Sequence, residues 1–341
     1  MSKDVKKVSF LKRKNIEFSL KRYGVEALGA MALGLFASLI VGLILKVLGE
    51  RTGLGFLVDY GVGAMAMAGP AIGVAVAFGL KAPPLVLFAS TVTGMAGYQL
   101  GGPAGSFVAA VIGAEFGKLV SKETKVDIIV TPIVTIIAGV ATGSLVGPVI
   151  GQFMTSLGVL IMKATELQPI PMGVFVSVLM GMALTLPISS AALAIMLDLG
   201  GIAAGAATVG CAAQMVGFAV ASFRENGWGG IVSQGLGTSM LQIPNIVKNP
   251  LIWIPPTIAG AIIGPLATTL FRMENVAAGA GMGTSGLVGQ FGTLDAMGFS
   301  SVVLFKIGLL HFVLPIVLTL AISELMRKKG WIKSGDMKLD N

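Results

Sequence analysis

Gln234, Thr238, Ser239, Gln242 and Asn245 recur at spacings that would place them on one face of a continuous helix. Ser189 and Ser190 join Thr185 around Pro187, where a second apolar segment is interrupted. Thr284, Ser285, Gln290 and Thr293 lie in the Gly-rich run AAGAGMGTSGLVGQFGT. Amides, hydroxyls and exposed backbone dipoles suit a neutral, hydroxyl-rich ligand, because each ligand hydroxyl needs a partner once it leaves water. An anionic ligand would require a buried Arg or Lys, and none falls in the middle of these segments. Ser, Thr and Gln also join helices to one another, so packing is open for single members. A stripe of five on one face favours a pathway.

Two ionisable residues are candidates for proton or phosphoryl chemistry, since an ionisable group inside an apolar segment is costly. Glu115 stands three residues before Lys118, on the same helix face. That spacing fits a local ion pair, and it also fits a ligand for protons or substrate hydroxyls. His311 is the single histidine, able to relay a proton near neutral pH or to make a packing hydrogen bond. Alone it cannot form a multi-histidine metal site, and the lone Cys211 excludes a disulfide framework or thiolate cluster. Nothing in the pattern requires a metal or a cofactor. No Walker-type loop is present, and GMGTSG (281–286) has no strand–helix context around it.

The elements that must position these groups are membrane helices. A hydrophobic fraction of 55% with 12% charged residues fits a chain dissolved in a lipid bilayer and no soluble class. The expected spans are 27–47, 61–80, 84–100, 104–120, 128–161, 172–197, 201–222, 229–247, 250–271 and 300–325, with 276–295 as a re-entrant segment. The fold class is therefore an all-α polytopic membrane protein of about ten transmembrane helices, several of them broken. Segment 128–161 is too long for one straight helix and is interrupted at Gly147–Pro148. Gly-rich polar backbone at membrane depth is tolerated only where it is buried in protein or lines a wet cavity.

The net charge of +8 points to topology rather than to nucleic acid, because Lys and Arg gather on the cytoplasmic side. Lys3, Lys6, Lys7, Lys12, Arg13, Lys14, Lys21 and Arg22 open the chain, and Arg327, Lys328, Lys329, Lys333 and Lys338 close it. Both termini are expected inside. Residues 1–23 form a basic amphipathic segment with apolar Val8, Phe10, Leu11, Ile16, Phe18 and Leu20, followed by a transmembrane domain (24–326) and a tail (327–341). The first segment is expected on the inner leaflet, with docking of a cytoplasmic partner as the alternative. A shift of 124 residues aligns Gly105 with Gly229, Gly113 with Gly237 and Pro132 with Pro256. This is the pattern of a parallel internal repeat, or of Gly- and Pro-rich helices alike in composition.

Across 20–330 the chain resembles the membrane subunit, enzyme IIC, of the bacterial sugar phosphotransferase system. More specifically, it looks like the stand-alone IIC-like branch that includes membrane regulators of toxin genes. The resemblance is carried by TLPISSAALA (185–194), QIPNIVKNPLIWIPP (242–256) and GMGTSGLVGQFG (281–292). It implies a homodimeric carrier in the bacterial cytoplasmic membrane that moves a small neutral solute, a sugar or polyol, by alternating access. The solute would bind between a core and a scaffold domain. Phosphorylating glucose-type carriers place a glutamate in a re-entrant hairpin, whereas GMGTSGLVGQFGT has no carboxylate and only Asp295 follows. Phosphoryl transfer would require a separate IIB partner, with Glu115 or His311 as base. Two other readings stay open: a membrane sensor acting through residues 1–22, and an ion-coupled transporter outside this system.

Overall fold

The computed structural model describes residues 10–339. Lys3, Lys6, Lys7 and Val8 lie outside the described residues. The main elements are α1 (Arg22–Glu50), α2 (Gly55–Ala66), α3 (Ala68–Gly79), α4 (Pro84–Val120), α5 (Asp127–Thr165), α6 (Pro169–Thr185) and α7 (Ser190–Met196). They continue with α8 (Gly201–Ala221), α9 (Phe223–Val232), α10 (Ile243–Lys248), α11 (Pro250–Thr268), α12 (Ala277–Ala280), α13 (Val288–Met297) and α14 (Ser301–Lys328). No strand occurs among the described residues, only an isolated bridge between Gly201 and Asn275. Six helices are long and apolar enough to cross a membrane, seven if the pair α2–α3, bent by 51°, counts as one span. Length and composition thus account for fewer crossings than the ten expected. Among its described residues the basic amphipathic segment is helical over Phe10–Arg13 and again from Leu20, where it runs into α1. Arg22, expected among the solvated charges, is buried.

The chain divides into two compact units. Unit 1 comprises the residues up to Leu35 with Met67–Ile150, and unit 2 comprises Phe36–Ala66 with Gly151 onward. The cuts fall near the π-helical turn Phe36–Ile40, the bend after Ala66, and Pro148 within the unbroken α5.

In unit 1, α4 is two arms. Gly101 and Gly102 break it, and Gly102 adopts φ 59°, ψ −150°, a conformation open to glycine alone. A Cβ on Gly97 would stand 2.4 Å from the Gly105 carbonyl oxygen, and one on Gly117 would stand 2.8 Å from Val86. Residues equidistant from Gly101–Gly102 therefore face each other, so the arms run antiparallel, in line with separate spans at 84–100 and 104–120. Pro103 opens the second arm, where its missing N–H costs nothing. By contrast α5 is one helix of 39 residues, continuous through Pro132 and Pro148.

In unit 2, α8 is enclosed, with 89% of its most apolar window buried within the protein. Its Gly and Ala residues let neighbouring backbones approach, as small residues do where lipid provides no hydrophobic drive between helices. Gly210 packs on Ser177 of α6, Gly205 on Met273, and Gly217 on Thr319 of α14. A core of Val176, Met180, Leu184, Leu193, Ala207 and Met215 joins α6, α7 and α8. The segment expected as one crossing at 229–247 is not one helix. It passes through a π-helical turn, an extended residue at Thr238 (φ −159°, ψ 141°), a 3-10 turn at Ser239–Gln242 and then α10.

Candidate functional site

Unit 2 holds the polar candidates on broken backbone. Helix α6 ends at Leu186, whose extended ψ of 159° precedes Pro187, as the residue before proline prefers. Ser190 then opens α7 and donates to the Gly281 carbonyl at 2.7 Å. Ser189 is half-buried in the break between the two helices. Segment 277–297 folds back on itself through left-handed Gly283, Gly286 and Leu287, and Gly279 lies against Gly292 while Gly283 lies against Gly289. Its arms, α12 and α13, have 4 and 10 residues, far short of the roughly 20 a crossing needs. The segment has the geometry of a re-entrant hairpin. Asn275 staples it, donating to Thr208 Oγ1 at 2.7 Å and to the Gly289 carbonyl at 2.9 Å.

Gln214, in mid-α8, joins three elements. Its Oε1 accepts from Trp253 Nε1 at 3.0 Å and from Thr185 Oγ1 at 3.3 Å, and its Nε2 donates to Thr257 Oγ1 at 2.9 Å. Thr185 also meets Ser239 Oγ at 2.8 Å. Thr238 caps its own turn by accepting from the Met240 amide. Thr284 donates to the Gly235 carbonyl.

Other buried polar atoms are left without a partner. Gln290 Nε2 and His311 Nδ1 are 2.9 Å apart, yet Gln290 Oε1 and His311 Nε2 meet nothing. Ser285 Oγ, Thr319 Oγ1 and Ser323 Oγ are likewise buried and unpaired. His311 lies in the π-helical turn Gly308–Val313, just before Pro315. The wider turn absorbs the hydrogen bond that the proline cannot make. His311, Pro315, Thr319 and Ser323 then recur every fourth residue along the buried side of α14.

A family model described as "Phosphotransferase system, EIIC" matches residues 25–339. The chain belongs to that family. No curated protein and no solved structure matches it. The EIIC protein is thus a multi-pass membrane component of a transport system.

The match runs through the last described residue, Leu339, and the structure shows what the EIIC tail does. The expected stripe does not lie on one helix face, because Thr238 is extended. Ser239 turns to Thr185, while Gln234, Gln242 and Asn245 form a ladder. Gln242 Nε2 donates to Gln234 Oε1 at 2.8 Å and to the Met337 carbonyl at 2.9 Å. Asn245 Nδ2 donates to Gln242 Oε1 and to the Lys338 carbonyl, both at 2.8 Å. Asn226 holds Met337 and Leu339 through its amide, and Asn249 holds Trp331 and Asp336. Ile332 and Met337 are buried beneath these bonds. The tail, expected as a separate polar end, is part of the fold.

Gln242→Ala leaves Gln234 Oε1, Asn245 Nδ2 and the Met337 carbonyl short of a partner. It should lower unfolding stability by about 2 kcal/mol. Thermal unfolding of the purified EIIC protein checks this. Deletion of 331–341 should lower it too, and the Gln242→Ala effect should shrink in the deleted chain.

Glu115 lies in unit 1, in the second arm of α4. Its Oε2 is 2.9 Å from Lys118 Nζ, and its Oε1 accepts from Tyr23 OH at 3.2 Å. Lys118 Nζ also donates to the Leu80 carbonyl at 3.2 Å, and the Arg22 guanidinium reaches the same oxygen. Two cations therefore cap the C-terminal end of α3, which carries partial negative charge. The structure places Glu115 in this ion pair. Sequence reasoning missed Gln214, Asn275, Thr319 and Ser323. Gln214, a lone amide within an otherwise small and apolar segment, was visible by the same logic that singled out Gln234.

Proposed function

We propose that this EIIC-family protein carries a small neutral solute, a sugar or polyol, through unit 2, working with a separate IIB phosphocarrier. The observation that carries the reading is the set of unpaired atoms: Ser285 Oγ, Gln290 Oε1, His311 Nε2, Thr319 Oγ1 and Ser323 Oγ. A buried polar group without a hydrogen bond is costly, and such groups persist where a ligand or water completes them. Charge supports neutrality. Among the described residues the largely buried charges of unit 2, Glu225 and Arg327, pair with each other at 2.8 Å, and the remaining buried polar groups there are uncharged Ser, Thr, Asn, Gln and His. Ser190 and Thr284 donate to the Gly281 and Gly235 carbonyls and share a scaffolding role, and Ser189 stands half-buried in the break beside Ser190. Gln234, Thr238, Ser239, Gln242 and Asn245 take a scaffolding role, since each is bonded within the protein.

His311 is the base this proposal favours if phosphoryl transfer occurs: with the Gln290 amide turned so that its oxygen accepts from Nδ1–H, Nε2 is left unprotonated and can take the proton. The homodimer and the inner location of both termini belong to the same reading. Uptake of radiolabelled sugars and polyols into vesicles holding the purified protein tests it, with and without a phosphoryl-donating IIB. Saturable uptake is expected, and His311→Ala and Gln290→Ala should each lower it about tenfold, the loss of one good hydrogen bond to solute. Full uptake in both folded variants would sink the proposed route.

A further inference from the structure

Unit 1 holds a cavity of about 440 Å3 walled by Arg13, Lys14, Lys81, Lys118, Lys122 and a single carboxylate, Glu123. It sits where the first arm of α4 begins and where α3, the second arm of α4 and α5 respectively end, end and begin. These helix ends share one level, that of a membrane boundary. The nearby carboxylates are already engaged. Glu123 pairs with Arg13 at 2.9 Å and with Lys14, and Glu115 pairs with Lys118 at 2.9 Å. Asp127 accepts from Thr131 Oγ1 at 2.6 Å and from the Lys122 amide at 2.7 Å. The Lys81 and Lys122 ammonium groups have no ion pair among the described residues. A cavity with this excess of cations concentrates anions.

Its surroundings decide which anion. Phe10, Leu11, Phe18 and Leu20 are exposed, Phe18 at 77% and Leu20 at 72%. Arg13 and Lys14 stand over the Phe10 ring, 5.2 and 5.6 Å from its centre. Apolar side chains set among basic ones are the arrangement of a segment lying in the lipid interface, and basic pockets between helix ends hold anionic headgroups.

We propose that this cavity binds the phosphate of an anionic phospholipid, with Lys81 and Lys122 as its main contacts and the four apolar side chains among the acyl chains. The site is separate from the transport reading. Delipidated full-length protein is titrated with phosphatidylglycerol, phosphatidylcholine or inorganic phosphate, followed by native mass spectrometry and thermal unfolding. Phosphatidylglycerol should bind saturably and raise the unfolding temperature, with the other two inert. Lys81→Gln with Lys122→Gln, both exposed positions, should weaken it about thirtyfold at about 1 kcal/mol per lysine. Equal binding by the double variant, or by phosphatidylcholine, overturns the proposal. Stabilisation by inorganic phosphate alone assigns the cavity to a free anion and overturns the lipid assignment.

Discussion

Glu115→Gln should destabilise the protein by about 3–5 kcal/mol, whereas Glu115→Gln combined with Lys118→Met should recover most of that loss. Lys118 is among the most deeply enclosed side chains of the protein, 2% exposed, and its ammonium meets the Glu115 carboxylate and the Leu80 carbonyl. Removing the carboxylate alone leaves a buried cation beside a second one, Arg22, and an uncompensated buried charge costs about that much. Removing both charges leaves an apolar side chain of similar length in place of the pair, which is commonly neutral. Circular dichroism during thermal unfolding of the single and double variants measures the recovery. A role for Glu115 in moving protons or solute predicts something else. Uptake would then fail in Glu115→Gln protein of normal stability, and Lys118→Met would not restore it.

Gly210→Val should prevent α8 from seating against α6. A Cβ built on Gly210 stands 1.9 Å from the Ser177 carbonyl oxygen and 2.5 Å from its carbon, so the neighbour in the way is backbone, which cannot swing aside. Even Gly210→Ala forces the two helices apart and should cost about 3 kcal/mol, the upper range for overpacking. Ser177 is bound on its other side as well, donating to the Gly260 carbonyl at 2.9 Å, so the strain extends to α11. The neighbouring Cys211 is the protein's single cysteine and is buried, so a thiol-reactive dye reports the packing of α8 directly. Labelling should begin at a lower temperature in Gly210→Ala than in the unmodified chain, and Gly210→Val should label from the start. Gly229→Ala is the control. No atom lies within 4 Å of its built Cβ, so the change should be neutral or stabilising by up to about 1 kcal/mol through helix propensity. Equal labelling of the Gly210 and Gly229 variants would show that close α6–α8 approach does not support the fold.

The internal repeat expected from the shift of 124 residues has local counterparts only. Pro132 and Pro256 both stand near a helix start, sixth in α5 and seventh in α11, whereas Gly113 lies within the second arm of α4 and Gly237 ends a π-helical turn before the extended Thr238. The aligned residues share composition, and their backbone settings agree only in part.

What the sequence by itself determined is what depends on near neighbours. Apolar runs imposed helices, because backbone N–H and C=O groups in lipid must bond within their own segment. Gly101–Gly102 and Leu186–Pro187 marked breaks, since φ, ψ and the missing proline N–H are local constraints. The family was legible too, through TLPISSAALA and GMGTSGLVGQFG. Tertiary structure decided the partners. Whether Glu115 faced solute or a cation depended on Tyr23, 92 positions away, and on Leu80 brought beneath Lys118. Whether Gln242 and Asn245 were open to a ligand depended on the Met337 and Lys338 carbonyls, 95 and 93 positions away. Periodicity misplaced that stripe because one extended residue, Thr238, ends the helical register, and its neighbour Ser239 is bonded to Thr185, 54 positions away. Spacing records which face a residue would take if the helix continued. Only the packed chain settles whether it does, and which polar groups are left without a partner.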